Sequence, residues 1–385
     1  MRRSLFTEEH KAFRATIRAF IAQEVVPYYP DWERAGQVPR DFYRKLGALG
    51  VFAIQVPEEY GGAGVTDFTY QTVIREECGR AGVGFGAENV HTCLVLPYLL
   101  DFGDEEQKRR WLPGFLTGET MTAIAMTEPG TGSDLAGITT RARLSEDGTH
   151  YLLNGAKTFI TGGAGADLVL VVCRTADHDP ADRRAGLSIL CVDTRSEGFA
   201  VGRRLDKIGL RAQDTAELSF TDVRVPVANL LGEEGAAFSY LTRNLVVERL
   251  GAAVGAYAGA AGAIGFAREY VRERQVFGRP VAAFQNTKFV LAECDTEVTA
   301  AQALVDRAVA AHAAGELTPA DAARAKLFCT ETAGRVIDKC LQLHGGYGYM
   351  LEYPIARLYA DTRVSRIYAG TSEVMKTIIA KDLGL

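Results

Sequence analysis

A single pair of charged residues lies within a long run of apolar and small residues. Between Arg243 and Arg268 the only charged side chains are those of Glu248 and Arg249. A carboxylate facing inward on such a helix would be desolvated, which raises its pKa into the range that a general base or acid needs. A carboxylate facing outward would be solvated and inert, and the pattern alone favours this second interpretation.

A second chemical signal is the small-residue loop AMTEPGTGSDLAG at positions 125–137. Its glycines and hydroxyl residues let a ligand approach the backbone closely, as a flavin ring edge or a pyrophosphate requires. The spacing differs from G-x-G-x-x-G before a helix, so the nicotinamide-binding fingerprint is absent. A plain turn between two strands explains the same residues equally well.

Two further segments combine glycine with arginine or aromatic residues. ERQVFGRP at 273–280 ends a long helix, where an arginine can reach a phosphate or simply oppose the helix dipole. The dipole interpretation is the favoured one. LQLHGGYGYMLEYPIARLYADTR at 341–363 can admit a cofactor or form a helix–loop–helix corner.

Composition excludes several classes of function. The chain of 385 residues has a net charge of −5 and no basic run, so no nucleic-acid partner is expected. It contains no H-x-x-x-H, G-x-S-x-G or G-x-x-x-x-G-K-[ST] pattern, so a metal centre, triad hydrolysis and nucleotide triphosphatase activity have no support. Its seven scattered cysteines predict buried free thiols in a reducing cytoplasm.

Membrane insertion is not expected either. The N-terminus lacks the apolar core and the cleavage site of a signal peptide. The most apolar stretch, residues 250–267, is rich in alanine and glycine and predicts a buried helix rather than a membrane span.

Three successive patterns predict three domains of an α+β protein that would position these residues. Residues 1–118 show helical spacing. Residues 119–231 contain short apolar runs separated by turn signals, which predict an antiparallel barrel or sandwich. Residues 232–385 return to helices, of which the first can run unbroken over 236–274, about ten turns.

Seven motifs in order resemble the acyl-CoA dehydrogenase family, and the resemblance extends over essentially the whole chain. They are AMTEPGTGSD, NGAKTFITGG, GLRAQDTAELSFTDVRVP, LLGEEGAAF, ERQVFGRPVAAFQ, QLHGGYGYMLEYPIARLYAD and IYAGTSEV. The resemblance implies an N-terminal helical domain, a middle antiparallel β-barrel and a C-terminal four-helix bundle. It also implies FAD held between the subunits of a homo-oligomer, usually a tetramer.

By the same resemblance, four groups of residues would contact FAD and the substrate. The isoalloxazine would lie on Ile124, Met126, Thr127, Gly132, Ser133, Phe159, Ile160 and Thr161. A neighbouring subunit would bind the pyrophosphate and adenosine through Arg274, Phe277, Gln285, Gln342, Gly345 and Gly346. The final FAD contacts would come from Thr371 and Glu373. The residues near the CoA arm and the thioester would be Ser133, Arg249, Tyr368 and Gly370.

The resemblance also indicates which residue takes the α-proton. Many family members carry glutamate where this chain has Ala369, within IYAGTSEV. In the long-chain and isovaleryl branches the base lies instead on the long helix, in a motif like VVERL at 246–250. Glu248 thereby becomes the predicted catalytic base, which reverses the interpretation of the pattern alone.

The implied reaction is the FAD-dependent α,β-dehydrogenation of an acyl-CoA thioester to trans-2-enoyl-CoA, as in fatty acid β-oxidation. Hydrogen bonds would polarise the thioester carbonyl, Glu248 would remove the α-proton and the β-hydrogen would pass to the flavin. The implied electron acceptor is an electron-transferring flavoprotein, and the expected location is the cytoplasm. The alternatives are dehydrogenation of an acyl group on a carrier protein, a flavin monooxygenase on the same fold, and a flavin-free interaction protein.

Overall fold

The N-terminal region consists of helices that pack together before the chain enters a sheet. The structure, a computed structural model, describes residues 3–177 and 181–385. The first helices are α1 (Glu8–Glu24), α2 (Tyr29–Ala35), α3 (Arg40–Ala48), α4 (Thr69–Ala81), α5 (Leu96–Phe102, after a π-helical turn at Val90–Val95) and α6 (Glu105–Thr117). Thr7 caps α1 by accepting a hydrogen bond from the backbone N–H of His10, and Asp104 caps α6 in the same way.

The middle region is a mixed eight-stranded sheet. Its strands are β1 (Thr122–Ala125), β2 (Arg141–Leu144), β3 (His150–Thr161), β4 (Leu168–Arg174), β5 (Leu187–Asp193), β6 (Phe199–Arg204), β7 (Thr215–Pro226) and β8 (Leu230–Leu231). The hydrogen-bonded order is β6-β7-β3-β2-β4-β5-β8, and β1 pairs with β4 outside that path. Both β1 and β2 run parallel to β4.

The prediction of an antiparallel sheet is therefore wrong for the two pairings of β4 with β1 and β2. Closure into a barrel is not confirmed, because the hydrogen-bonded path has β6 and β8 as its ends. The physical reason is that apolar alternation predicts which face of a strand is buried. It carries no information about the neighbour with which the strand pairs or about their relative direction.

Strand β4 is buried along its whole length and joins two cores. Leu168, Leu170 and Val172 pack with the N-terminal helices. Val169 and Val171 pack in the core on the other face of the sheet. A strand covered on both faces needs an unbroken apolar run, which LVLVVC provides.

Helices return after the sheet and form the C-terminal domain. They are α7 (Ala237–Glu273), α8 (Gln285–Ala313), α9 (Pro319–Leu343), α10 (Pro354–Thr362) and α11 (Ser372–Asp382), with a hairpin of β9 (Gln275–Val276) and β10 (Arg279–Pro280) between α7 and α8. Helix α9 packs against α7, α8, α10 and α11. The helical class of this domain is confirmed. Its description as a four-helix bundle and the domain limits at residues 118 and 231 stay predictions.

The alanine- and glycine-rich part of α7 makes a close helix contact. Helix α7 is long and apolar enough to cross a membrane, yet 72% of its most apolar window is buried within the protein. A Cβ added at Gly262 would lie 2.0 Å from the carbonyl oxygen of Gly79 in α4. The small residues thus let the two backbones touch, and the predicted buried helix is confirmed.

Candidate active site

The carboxyl group of Glu248 is partly enclosed on α7, with its side chain only partly accessible to solvent. Burial raises its pKa from the ordinary value of 4.5 to about 7, while the positive charges of Arg249 and Lys326 act to lower it. A carboxyl group with this pKa is about half ionised at neutral pH, so it can take a proton and release it again. Of the two orientations considered for Glu248, the structure supports the enclosed one.

Two buried cations hold the loop of residues 367–371, which precedes α11 and lies next to this carboxyl group. Arg249 Nε donates to the Ala369 carbonyl oxygen at 3.4 Å, and Lys326 Nζ donates to the Gly370 carbonyl oxygen at 2.5 Å. The φ angles of Ala369 and Gly370 are 54° and 88°. This left-handed backbone presents consecutive carbonyl groups to cations from α7 and α9. The structure thus brings together four of the predicted residues: Glu248, Arg249, Tyr368 and Gly370.

Two tyrosines border the same region. The Tyr368 ring centroid lies 6.0 Å from Lys326 Nζ, and this residue is 42% exposed. Tyr98 of α5 is buried, and its hydroxyl has no hydrogen-bond partner among the described residues. Burial and the negative charge of Glu248 both raise the pKa of Tyr98, which indicates that the phenol is close to the carboxyl group. An unpaired buried hydroxyl is uncommon in folded proteins, so Tyr98 retains an unused hydrogen-bonding group.

A buried ion pair fixes the segment predicted to hold the flavin ring. Lys157 Nζ donates to Glu128 Oε1 at 2.9 Å and to the Met126 carbonyl oxygen at 3.0 Å. Glu128 also accepts from the backbone N–H groups of Thr139 and Thr140. Although burial acts to raise the pKa of Glu128, Lys157 and these donors lower it to about 2. The Glu128 carboxylate therefore stays ionised near neutral pH and positions backbone instead of moving a proton.

Strand β3 lies beside that segment, since the Thr158 N–H donates to the Thr127 carbonyl oxygen at 3.0 Å. Phe159 is 66% exposed and has φ of 59°, at an irregularity of β3 that leaves much of its ring accessible. Gly132 and Ser133 lie in the exposed loop after β1. The two neighbouring segments contain six of the predicted isoalloxazine residues: Ile124, Met126, Thr127, Phe159, Ile160 and Thr161.

A groove of about 500 Å³ lies at the C-terminal end of α7, and Arg274, Gly345, Gly346 and Tyr347 are among its lining residues. The Arg274 guanidinium lies 5.6 Å from the Tyr347 ring centroid. Apart from the adjoining residues of the chain, no atom of the described residues lies within 4 Å of a Cβ built at either glycine, so the groove is open there. Because α7 is continuous, a rise of 1.5 Å per residue puts Arg274 about 39 Å from Glu248.

The remaining predicted FAD contacts lie outside the lining of this groove. Phe277 is 96% exposed at the turn of the β9–β10 hairpin. Gln285 begins α8 and Gln342 lies near the end of α9, and both are exposed. Thr371 caps the N-terminus of α11, and Glu373 is exposed in the first turn of that helix. The FAD contacts of these residues stay predictions, and capping α11 is a structural role for Thr371.

The predicted set omits Lys326, Tyr98 and the Lys157–Glu128 pair. Lys326 lies on the buried face of α9 with Ala322, Ala325 and Cys329. The helical spacing of these small residues therefore indicates that Lys326 is buried. Lys157 has the same parity along β3 as the buried Leu153, but irregularities in the pairing of that strand interrupt the alternation. We find no comparable signal for Tyr98.

Sequence models of three protein-family domains match the chain in order. "Acyl-CoA dehydrogenase, N-terminal domain" matches residues 7–119, the corresponding middle domain matches 123–223, and the C-terminal domain matches 235–384. The chain belongs to the acyl-CoA dehydrogenase family. This membership confirms the resemblance drawn from the seven motifs.

Individual acyl-CoA dehydrogenases are similar to this chain over nearly its whole length. The long-chain specific mitochondrial enzyme of Sus scrofa is 42% identical over 383 residues, which cover 99% of this chain and 88% of that protein. A crystal structure from Geobacillus kaustophilus has a TM-score of 0.96 and 48% identity over 100% of both chains. A Bacillus anthracis acyl-CoA dehydrogenase complexed with FAD has a TM-score of 0.90 and 32% identity, covering 98% of this chain and 67% of that one. The predicted enzyme class is thereby confirmed.

Proposed function

We propose that this enzyme dehydrogenates an acyl-CoA thioester between its α- and β-carbons, with Glu248 as the base that removes the α-proton. The observation that carries this assignment is the partly enclosed Glu248 carboxyl group, whose pKa of about 7 suits proton transfer at neutral pH. Ala369, on the neighbouring loop, has no titratable group that could serve instead. Membership of the acyl-CoA dehydrogenase family supports the reaction class.

The residues present fit FAD as the cofactor. Phe159 offers an accessible aromatic ring beside the Met126–Thr127 backbone, which the buried Lys157–Glu128 pair holds in place. FAD, when bound, supplies the acceptor for the β-hydrogen and its electron pair. The chain itself would position the ring edge through this backbone and take the α-proton at a carboxylate oxygen of Glu248.

We also propose a homo-oligomer, with a tetramer as its expected form, because the groove at Arg274 lies far from Glu248 in the same chain. The groove at Arg274 lies about 39 Å along α7 from Glu248, beside which the reacting flavin ring would have to lie. We infer that the groove of one copy completes the FAD site of another. Exposed apolar residues near the groove support assembly, because Phe277, Tyr349 and Leu351 are 96%, 84% and 64% exposed.

Other features of the function are proposed on narrower grounds. A long-chain acyl group is favoured by the motifs and by the long-chain specific relative. An electron-transferring flavoprotein is proposed as the acceptor and β-oxidation as the pathway, in keeping with the family. All seven cysteines are buried and free, which supports a reducing compartment such as the cytoplasm.

Anaerobic bleaching of the bound flavin tests this function directly. Acyl-CoA thioesters from butanoyl to hexadecanoyl, with branched-chain examples, are mixed with the purified enzyme and the flavin absorbance is followed. We expect bleaching, and the fastest bleaching with long chains. Bleaching by an acyl-carrier-protein thioester alone would favour the biosynthetic alternative, and no bleaching by any thioester would contradict the proposed function.

A further inference from the structure

Lys326 is a buried residue that the proposed proton transfer to Glu248 does not use. It is 1% exposed on α9, and it forms no ion pair with a carboxylate in residues 3–177 and 181–385. Burial lowers the pKa of Lys326 to about 8, and the negative charge of Glu248 opposes this effect. A buried ammonium group without a paired carboxylate is unfavourable for folding, so its position calls for an explanation.

The hydrogen bonds of this region show what Lys326 connects. Its ammonium group donates to the Gly370 carbonyl oxygen at 2.5 Å. Arg249, which follows Glu248 on α7, donates to the carbonyl oxygen of Ala369, the residue before Gly370, at 3.4 Å. The loop is therefore held from two helices at two successive residues, and the positive charges of both cations act on the Glu248 carboxyl group.

We propose that Lys326 is a positioning residue of this active site: its ammonium group fixes the Gly370 carbonyl and, with Arg249, supplies the positive charge that keeps Glu248 ionised before proton transfer. The inference rests on the proposed function of Glu248. It assigns Lys326 two separable actions, as a hydrogen-bond donor to the loop and as a positive charge beside the base.

Four titratable groups of the described residues act on or respond to the Glu248 carboxyl group. They are Arg249 on α7, Lys326 on α9, Tyr98 on α5 and Tyr368 in the loop. Burial raises the pKa of both tyrosines, so they are neutral when Glu248 titrates. The positive charge at Glu248 therefore comes from Arg249 and Lys326.

Three substitutions separate the two actions of Lys326. Lys326→Arg keeps the charge and a donor, Lys326→Gln keeps a donor without the charge, and Lys326→Met removes both. Lys339→Met is the matched control, because Lys339 lies on the same helix and pairs with Glu293 and Glu297 at the surface. Two quantities are measured: the pH dependence of single-turnover flavin reduction, with its substrate affinity, and the infrared titration of the Glu248 carboxyl group in substrate-free enzyme, assigned by difference from Glu248→Gln.

We expect Lys326→Met and Lys326→Gln to move the Glu248 titration to higher pH by about one unit, because a positive charge near a carboxylate favours its ionised form. Flavin reduction near neutral pH should then fall by up to about tenfold. Lys326→Met alone should also weaken substrate binding, since the loop loses its donor. Lys326→Arg should retain both the Glu248 titration midpoint and the substrate affinity. Lys339→Met should match the unsubstituted enzyme.

An unchanged infrared midpoint in Lys326→Met would overturn the inference, and Lys326→Gln provides the same test if the Met variant does not fold. The titration needs no substrate, so it separates the two claims. If the unsubstituted enzyme failed to bleach with any acyl-CoA, the proposed function would fall while the infrared midpoints still tested the charge of Lys326.

Discussion

Two glutamates of this protein have a buried lysine nearby, and they differ in protonation. In the sheet domain Glu128 forms an ion pair with Lys157 at 2.9 Å, and its pKa falls to about 2. In the helical domain Glu248 forms no ion pair within the described residues, and its pKa rises to about 7 although two cations are near. One carboxyl group is therefore fixed as an anion, and the other can change its charge near neutral pH.

The difference comes from what the lysines bind. Lys157 donates to the Glu128 carboxylate itself, which also accepts from two backbone N–H groups. Lys326 donates instead to the Gly370 carbonyl, so its charge acts on Glu248 without a direct hydrogen bond. A fully hydrogen-bonded carboxylate serves as a structural anchor, whereas an incompletely paired one remains basic enough for chemistry.

Removing the basic carboxyl group should have the largest effect. Glu248→Gln keeps the size of the side chain but cannot accept the α-proton, so flavin reduction should slow by ~10²- to 10⁴-fold, the usual worth of a positioned base. FAD binding should persist. Stopped-flow bleaching with a saturating acyl-CoA measures the step, and Glu269→Gln, an exposed position on the same helix, is the control. Reduction at the unsubstituted rate would end the assignment of Glu248.

Breaking the anchoring pair should instead reduce stability. Glu128→Gln leaves Lys157 buried without its countercharge, which costs about 3–5 kcal/mol in such pairs. Denaturant unfolding of the holoenzyme measures the loss. The double change Lys157→Met with Glu128→Gln should recover much of the stability, because no lone charge remains and the amide oxygen can still accept a hydrogen bond from the Thr139 or Thr140 backbone N–H. A single variant within about 1 kcal/mol of the unsubstituted protein would show that the pair is not an anchor.

The same two carboxyl groups should give opposite dependences of stability on pH. The pKa of Glu248 is raised from 4.5 to about 7. The stability that this group contributes to the folded state is therefore fully present below pH 4.5 and is lost as the pH rises through about 7. The pKa of Glu128 is lowered from 4.5 to about 2, so its contribution is present above pH 4.5 and lost as pH falls through about 2.

Unfolding free energies across pH provide the measurement. Relative to the unsubstituted protein, Glu248→Gln should gain about 2 kcal/mol in stability between pH ~5 and ~8. The deficit of Glu128→Gln should shrink as the pH falls from ~5 toward ~2. Unfolding curves whose differences stay constant over both ranges would contradict these two opposite shifts.

The order of domains was predictable from sequence, but the pairing of the sheet was not. Helical spacing and short apolar runs each leave a period that indicates the element and its buried face. The spacing of apolar residues does not indicate the relative direction of neighbouring strands. The sequence therefore does not predict the parallel pairings of β4 with β1 and β2. Strand β4, buried on both faces, shows the same limit, because its unbroken apolar run has no alternation from which to assign a face.

The sequence indicated candidate residues for the site, but not the geometry in which the fold holds them. The pattern around Glu248 favours the solvated orientation, and only the family resemblance indicates Glu248 as the proposed base. Left-handed backbone at Phe159, Phe277 and Ala369 had no signal, since none of the three is a glycine. These conformations depend on tertiary contacts such as the hydrogen bond from Arg249 to the Ala369 carbonyl, which join residues far apart in sequence.

Moving the carboxyl group to the neighbouring loop should have the smallest effect and gives the finest test of the comparison. In Glu248→Gly with Ala369→Glu, the new glutamate adds no backbone strain of its own, because Ala369 already holds a Cβ at φ of 54°. Its carboxylate would lie on the loop held by Arg249 and Lys326, and so close to the same positive charges.

We expect flavin reduction in the double variant to be about tenfold faster than in Glu248→Gly alone, a partial recovery by an imperfectly placed base. Shorter or unbranched acyl chains should be preferred, because the longer side chain occupies different space. If the double variant reduces flavin no faster than Glu248→Gly, and Ala369→Glu alone leaves the flavin bound, then the loop does not reach the α-carbon, and the two positions cannot exchange the role of base.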